Sequence, residues 1–233
     1  MRVAITGEKG FLGIHLTQYF RDVLKYEVVE LGRDYLGQLK KVKELDWLIH
    51  GACIHRHEDS NYLIHLNRKL TNDTLLCLLE NNIQCNIVHF SSIYEDLDTP
   101  YGISKSETNM LLNKYCKSIK KEFISYKLPN IFGQNAVPNK TSFIATFCFN
   151  LHNGLIIKYN TNQVKLVYVG DIVPIIANFK KCEVGHYIST VENIFKLLKT
   201  YHEITLEGEL PHLNNKFEKD LYQTYLSYSN YKI

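Results

Sequence analysis

The sequence predicts an α/β fold: a doubly wound parallel sheet followed by a small C-terminal lobe. Three observations predict it. Short β-branched runs alternate with helical patterns through the first 130 residues. A glycine-spaced turn, Gly7 to Gly13, joins the first apolar run to the first helical stretch. After Asn130 the pattern loosens, and Gly133, Pro138, Gly154 and Gly170 punctuate shorter segments. Strands alternating with helices of roughly 10–15 residues imply βαβ units, parallel pairing and right-handed crossovers.

In chain order, Arg2 to Thr6 reads as an apolar strand, and Phe11 to Leu24 carries apolar residues at helical spacing. Glu27 to Leu31 and Trp47 to Ala52 (WLIHGA) read as strands, and Leu63 to Leu79 as a helix. Asn86 to Phe90 is the next strand, Pro100 to Ser118 a long helix, and Phe123 to Lys127 a further strand. This places a nucleotide-binding domain at 1–130 and a smaller lobe at 131–233, with 164–180 returning to the edge of the large sheet. The 27 Lys and Arg against 24 Asp and Glu exclude a strongly basic nucleic-acid scaffold. A hydrophobic content of 45% excludes a disordered chain. The apolar runs are too short for a membrane span. The opening MRVAITG reads as a strand and not as a leader, and six cysteines show no CxxC spacing. The expectation is a cytoplasmic protein with reduced thiols.

Thr6-Gly7-Glu8-Lys9-Gly10-Phe11-Leu12-Gly13 is a TGxxGxxG turn between strand and helix. Its first glycine permits the tight turn, its second lets a pyrophosphate approach the backbone, and its third lets helix and strand pack closely. The helix N-terminus adds free N–H groups and a partial positive charge. The reading is a dinucleotide site. Its choice of dinucleotide turns on the end of the second strand, where an acid would bond the ribose 2′-OH of NAD. Here the strand ends in Gly32-Arg33, and a guanidinium can clamp a 2′-phosphate, so NADP(H) is expected. Glu30 and Asp34 are the competing acids.

Tyr101-Gly102-Ile103-Ser104-Lys105 sets a tyrosine and a lysine four apart, on one face of a helix. A nearby ammonium is expected to lower the phenol toward neutrality and make it a proton donor and acceptor. Ser91 and Ser92 end the preceding strand, at the carboxyl edge where such sheets bind ligands. Either hydroxyl could bond a reacting oxygen.

With these motifs in view, the chain resembles an extended short-chain dehydrogenase/reductase of the NAD-dependent epimerase/dehydratase family. TGEKGFLG, LIHGAC, FSSIY, YGISK, LPNIFG and YVGDIV fall in that family's order. KLPNIFGQNAVPNKTSFIATFCFN and KFEKDLYQTYLSY resemble the reductase half of capsular-polysaccharide enzymes that act on UDP-2-acetamido-2,6-dideoxy-hexos-4-uloses. In those enzymes a cupin domain follows and epimerises C3. The resemblance implies a Rossmann-type fold. Gly7, Gly10, Phe11, Leu12 and Gly13 would form the cofactor loop, Arg33 would take the phosphate, and Ala52, Pro129 and Lys105 would meet the cofactor. Tyr101 would be the general acid, Lys105 its partner and a ribose ligand, and Ser92, or else Ser91, the carbonyl-orienting hydroxyl. Arg56, Asn130, Asn139, Lys140 and Phe143 would contact a UDP-sugar. Gly170 replaces the first acid of the family's usual VDD.

The implied reaction is NADPH-dependent reduction of a C4 ketone to a talo- or rhamno-type N-acetyl-6-deoxyhexosamine. The alternatives are an epimerase cycling tightly held NAD, and a non-catalytic binding relative. The intact Ser, Tyr and Lys set argues against the latter. His50, His55 and His57 around Cys53 are read as loop and core residues without metal. Helices 63–79 and 100–118 are expected to build a homodimer. At 233 residues the chain is read as a stand-alone reductase, with any C3 epimerase a separate chain.

Overall fold

The computed structural model describes residues 1–231. The chain divides into two compact units: Met1–Leu128 with Val173–Val184, and Pro129–Ile172 with the chain from Gly185 on.

The first unit runs β1 (Arg2–Thr6), α1 (Phe11–Gln18), β2 (Glu27–Leu31), α2 (Tyr35–Leu39), β3 (Trp47–His50), α3 (Ser60–Glu80), β4 (Asn86–Ser92), α4 (Pro100–Ser118) and β5 (Phe123–Leu128). Its five strands lie in the order β2-β1-β3-β4-β5, every pair parallel. The chain winds outward from β1 to β2, then crosses to β3 on the other side. The switch point therefore falls between β1 and β3, where open α/β sheets bind their ligands. All four residues of β3 are buried, as expected of a strand covered on both faces.

One face packs Ala4, Leu31, Leu48 and Ile87 against Leu75 and Leu78 of α3 and Leu112, Tyr115 and Cys116 of α4. On the other face Trp47 stacks on Phe179 at 4.4 Å, and Phe179 on Phe20 at 5.7 Å. Tyr126 donates its hydroxyl to the Lys180 carbonyl at 2.9 Å. These contacts hold the returning segment 173–184 on the first unit.

Two differences from the sequence reading have local causes. The helix expected over Phe11 to Leu24 keeps α-geometry only to Gln18 and continues as a π-helical turn, Tyr19–Val23. The wider turn carries Phe20 into its stack with Tyr26 and Phe179. The five-residue α2 was not anticipated. It is too short to show periodicity, and Gly32, Asp34 and Gly37 read as loop.

The second unit contains β6 (Asn130–Phe132), α5 (Phe143–His152), β7 (Gln163–Tyr168), β8 (Tyr187–Thr190), α7 (Val191–Leu206) and α8 (Lys216–Leu226). Between β7 and β8, α6 (Val169–Ala177) leads out of this unit into 173–184. Its sheet is β6-β7-β8, with β6 and β7 parallel and β7 and β8 antiparallel. The expected return of 164–180 to the large sheet is therefore corrected. Gln163–Tyr168 pairs within the small sheet, and the segment that belongs to the first unit begins at Val173. The tyrosine-rich tail is packing: Tyr222, Tyr225 and Tyr228 are buried, and Tyr228 donates to the Ala136 carbonyl at 2.7 Å. Lys216 bridges Asp171 and Asp220, each at 2.7 Å. Among the described residues no helix is long and apolar enough to cross a membrane.

His50 of β3 and His89 of β4 are register partners in the parallel sheet, so their side chains share a face. Their ring centroids lie 6.3 Å apart. Both are buried, and neither ring nitrogen of His89 makes a well-formed hydrogen bond, although the ring lies against the His50 backbone. Burial, and then the Lys105 ammonium, lower His50 to about 4 and push His89 well below its ordinary value. An imidazole lowered in the folded state binds its proton sooner in the unfolded chain. Stability is thus fully present above the unfolded value near 6.5 and is lost as pH falls from there toward 4. His50 alone accounts for about 3 kcal/mol of that loss. Urea unfolding at pH 7 and pH 4.5 will show a smaller difference for His50→Gln than for the unaltered chain. Equal differences for the two proteins would refute the assignment.

Candidate active site

The site is built where the parallel strands end. Thr6, the last residue of β1, turns its hydroxyl toward the end of β3 and accepts from the backbone N–H groups of Gly51 and Ala52, both at 3.1 Å. This ties the phosphate turn to the loop after β3. Gly7 has φ +75°, a left-handed conformation costly for other residues. A side chain at Gly13 would collide with the Gly7 carbonyl and the Glu8 backbone, so helix α1 starts pressed against the turn. Gly10 caps α1 with no side-chain bond to its first amides. The free N–H groups and the side-chain-free cradle of Gly7, Gly10 and Gly13 fit a dinucleotide pyrophosphate. Phe11 and Leu12 open the helix, with the Phe11 ring edge-on to His15 at 5.6 Å.

At the end of β2, both acids considered from the sequence are accounted for. Glu30 pairs with Arg21, and Asp34 lies over Gly37 in the first turn of α2. Arg33 is exposed, with no hydrogen bond or ion pair among the described residues. The residue that sequence reasoning passed over is Glu8. The residue is buried in the phosphate turn, and its Oε1 would lie 3.9 Å from a Cβ placed on Gly32. Nothing in the TGxxGxxG pattern signals this, because the pattern reads position 8 as variable.

The loop after β3 is clamped by Asn67 of α3. Asn67 accepts from the Ile54 N–H at 2.8 Å and donates to the Ile54 carbonyl at 2.9 Å. Cys53 and His55 flank that anchor, and the His55 ring lies 6.2 Å from the Tyr101 ring. Arg56 is exposed in the same loop. Among the described residues no three of His, Cys, Asp and Glu are grouped to hold a metal.

Tyr101 enters α4 in its first turn. Thr99 caps that helix by accepting from the Gly102 N–H at 3.1 Å, with Pro100 at the first helical position. Gly102 lets the turn press on the 94–97 loop, since a Cβ there would sit 2.6 Å from the Tyr94 carbonyl. Lys105 is buried, donates to the Phe90 carbonyl at 2.8 Å, and places its ammonium 5.8 Å from the centre of the Tyr101 ring.

The expected lowering of Tyr101 by Lys105 is corrected. Burial, and then the Cys53 thiol, push the phenol up to about 12, and a hydrogen bond with Ser92 offsets only part of this. The two serines point to opposite faces of β4. Ser92 meets Tyr101 and accepts from the Tyr94 N–H at 3.2 Å. Ser91 instead bonds the buried carboxylate of Glu95, which Lys127 pairs at 2.7 Å.

Pro129 and Asn130 open the second unit, where the Asn130 amide donates to the Lys165 carbonyl at 3.2 Å. Asn139, at φ +61°, donates its N–H to Thr146, and the Lys140 N–H bonds the Val137 carbonyl. Phe143 begins α5 with its ring edge-on to Phe147.

Among curated proteins the chain is similar to a UDP-2-acetamido-2,6-beta-L-arabino-hexul-4-ose reductase of Pseudomonas aeruginosa. The identity is 30% over 177 residues, 74% of this chain and 48% of that protein. Among solved structures it superposes on the capsular polysaccharide assembling protein CapF of Staphylococcus aureus with TM-score 0.80 and 30% identity, covering 98% of this chain and 66% of that one. The chain thus spans about half the length of the curated relative and under two thirds of a second CapF structure, at 63%. RMD of Pseudomonas aeruginosa complexed with NADPH gives TM-score 0.79 at 15% identity, with 98% of both chains covered. The UDP-glucose 4-epimerase of Thermus thermophilus with NAD gives 0.79 at 16%, with 99% of both covered. At such identities these two likenesses are of fold alone. The family model described as NAD dependent epimerase/dehydratase matches residues 3–180. The chain belongs to the NAD dependent epimerase/dehydratase family.

Proposed function

We propose that this chain reduces the C4 ketone of a UDP-linked 2-acetamido-2,6-dideoxy-4-keto-hexose, with NADPH as the expected reductant. The observation that carries the reading is the set of buried Ser92 and Lys105 with half-buried Tyr101 at the carboxyl edge of β4. The name of the Pseudomonas relative supports the substrate class.

When bound, the reduced dinucleotide supplies a hydride to the carbonyl carbon. The rest falls to residues of this chain. Ser92 holds the carbonyl oxygen by a hydrogen bond. Tyr101, kept protonated by burial, gives its proton to the same oxygen as negative charge develops there. The ketone becomes an alcohol, and the proton that leaves Tyr101 is restored from solvent. Lys105 is anchored on the Phe90 carbonyl and keeps two N–H donors for the nicotinamide ribose. Gly7, Gly10, Phe11, Leu12 and Gly13 are assigned to the pyrophosphate, Ala52 and Pro129 to the cofactor, and Arg33 to a 2′-phosphate. Arg56, Asn130, Asn139, Lys140 and Phe143 are assigned to the UDP-sugar. Leu76 and Leu79 of α3 and Met110 of α4 are exposed and provide the apolar face for the proposed homodimer. An epimerase cycling tightly held NAD is the second reading, and the Glu8 carboxylate beside Gly32 is what favours it.

The test is to offer UDP-linked 4-keto-2-acetamido-6-deoxy sugars with NADPH or NADH, following cofactor oxidation and product NMR. Net oxidation with a new C4 carbinol supports the reductase. C4 interconversion without net oxidation would establish the epimerase. Tyr101→Phe is expected to lower kcat by about 10²–10⁴-fold with dinucleotide binding retained. Ser92→Ala is expected to cost about 10²-fold in kcat. Ser91→Ala, which frees Glu95, should lower thermal stability with a much smaller effect on kcat. Equal kcat losses in the two serine variants would remove Ser92 from its role.

A further inference from the structure

The loop that joins β4 to α4 is held by one buried acid. From Ile93 to Pro100, Glu95 is the one buried residue, while Tyr94, Asp96, Leu97, Asp98 and Thr99 are exposed. Its carboxylate accepts from the Ser91 hydroxyl and pairs with Lys127 at 2.7 Å. Ser91 and Lys127 are register partners near the ends of β4 and β5, so a single side chain ties the loop to two strands. Asp96 adds a second carboxylate to the same ammonium at 2.9 Å. A loop with so little apolar burial gains little from the hydrophobic effect, and a buried carboxylate is costly unless it is paired and hydrogen-bonded. Glu95 is both.

What this tie holds is the geometry of Ser92. The Glu95 N–H donates to the Ser92 carbonyl at 3.0 Å, closing a turn that brings the Tyr94 N–H onto the Ser92 hydroxyl at 3.2 Å. That bond occupies a lone pair of the hydroxyl and leaves its proton to be given to another oxygen. The same loop then reaches the start of α4. The Tyr94 carbonyl accepts from the Leu97 N–H at 3.1 Å, the Leu97 carbonyl accepts from the Thr99 N–H at 2.8 Å, and Thr99 caps the helix. A Cβ on Gly102 would collide with the Tyr94 and Leu97 carbonyls, so the helix rests directly on the loop. Ser92 and Tyr101 thus stand at the two ends of one hydrogen-bonded segment, and Glu95 is its buried anchor.

We propose that Glu95 is a positioning residue: by gripping Ser91 and Lys127 it sets the turn that aims the Ser92 hydroxyl at the reacting oxygen. Its effect reaches the chemistry through Ser92, on the opposite face of β4 from Ser91. Lys127 keeps its hold on Glu95 when Ser91 is cut to alanine, so that variant is the milder one. The kinetic consequence rests on the reductase reading above, and nothing in the proposal depends on which dinucleotide is bound.

The experiment combines amide hydrogen exchange over residues 92–102 with kcat on a UDP-linked 4-keto-2-acetamido-6-deoxy sugar. Both are measured for the full chain carrying Glu95→Gln, alone and on top of Ser92→Ala. Glu95→Gln keeps the side chain's shape and removes the charge that Lys127 pairs. Exchange over 92–102 is expected to quicken several-fold while the other segments stay unchanged. The kcat should fall about tenfold with KM held within about twofold, and this fall should vanish on top of Ser92→Ala, where the hydroxyl is already gone. Lys127→Met, which alters only a half-exposed side chain, should move both readings the same way by less. Unchanged exchange in Glu95→Gln overturns the tie. A kcat that does not fall, or that falls equally on top of Ser92→Ala, overturns the positioning of Ser92. An unaltered chain that reduces no 4-keto sugar overturns the reductase reading; quickened exchange in Glu95→Gln then still upholds the tie, and unchanged exchange sinks it.

Discussion

The candidate site is organised around one buried cation. Lys105 reaches from α4 to the Phe90 carbonyl at 2.8 Å, and only 5% of the residue is exposed. A buried ammonium needs acceptors, and a strand's last carbonyls supply one that no neighbouring strand uses. The consequences extend from that point. Burial holds His50 and His89 well below the ordinary imidazole value, and the cation lowers them further. It also fixes the roll of α4, and so the place where Tyr101, one helical turn earlier, meets Ser92. The Thr99 cap and the close approach of Gly102 pin the helix start against the loop that β4 feeds. Position comes from backbone contacts, which substrate binding does not have to rearrange.

A second set of ties belongs to the sheet edge. Parallel strands end with unpaired amides and carbonyls pointing at solvent, and the loops that follow would be free without side-chain anchors. Thr6 satisfies two of those amides across the switch point. Asn67 satisfies both backbone groups of Ile54. The first sits within the glycine motif, and the second lies far from any motif on a helix that otherwise reads as amphipathic. Both convert flexible loops into fixed walls beside the same sheet edge.

Legibility followed the physics of each feature. The strands β1 and β2 and the helix α4 were readable residue by residue, because periodicity and capping are local signals. The glycine turn was readable because its backbone conformation admits few alternatives. The choice between Ser91 and Ser92 could not be read from the chain. It depends on which face of β4 meets α4, and only the partners Glu95 and Tyr101 separate the two. The state of Tyr101 was misjudged for a related reason. Four-residue spacing brings Lys105 to the correct face, but its Nζ turns to the Phe90 carbonyl, so burial decides the phenol. The place of Glu8 was invisible, because it lies near Gly32, distant in sequence.

The protonation state of Tyr101 also bears on direction. Reducing a ketone requires a proton donor in the ground state, whereas oxidising a carbinol requires an acceptor. A phenol held at about 12 carries its proton in all but about one molecule in 10⁵ at pH 7, so it is ready to donate. An epimerase must begin each cycle by removing a proton from the sugar hydroxyl, and would then need the phenolate. In that direction the buried surroundings of Tyr101 add several kcal/mol to the barrier unless binding lowers the phenol first.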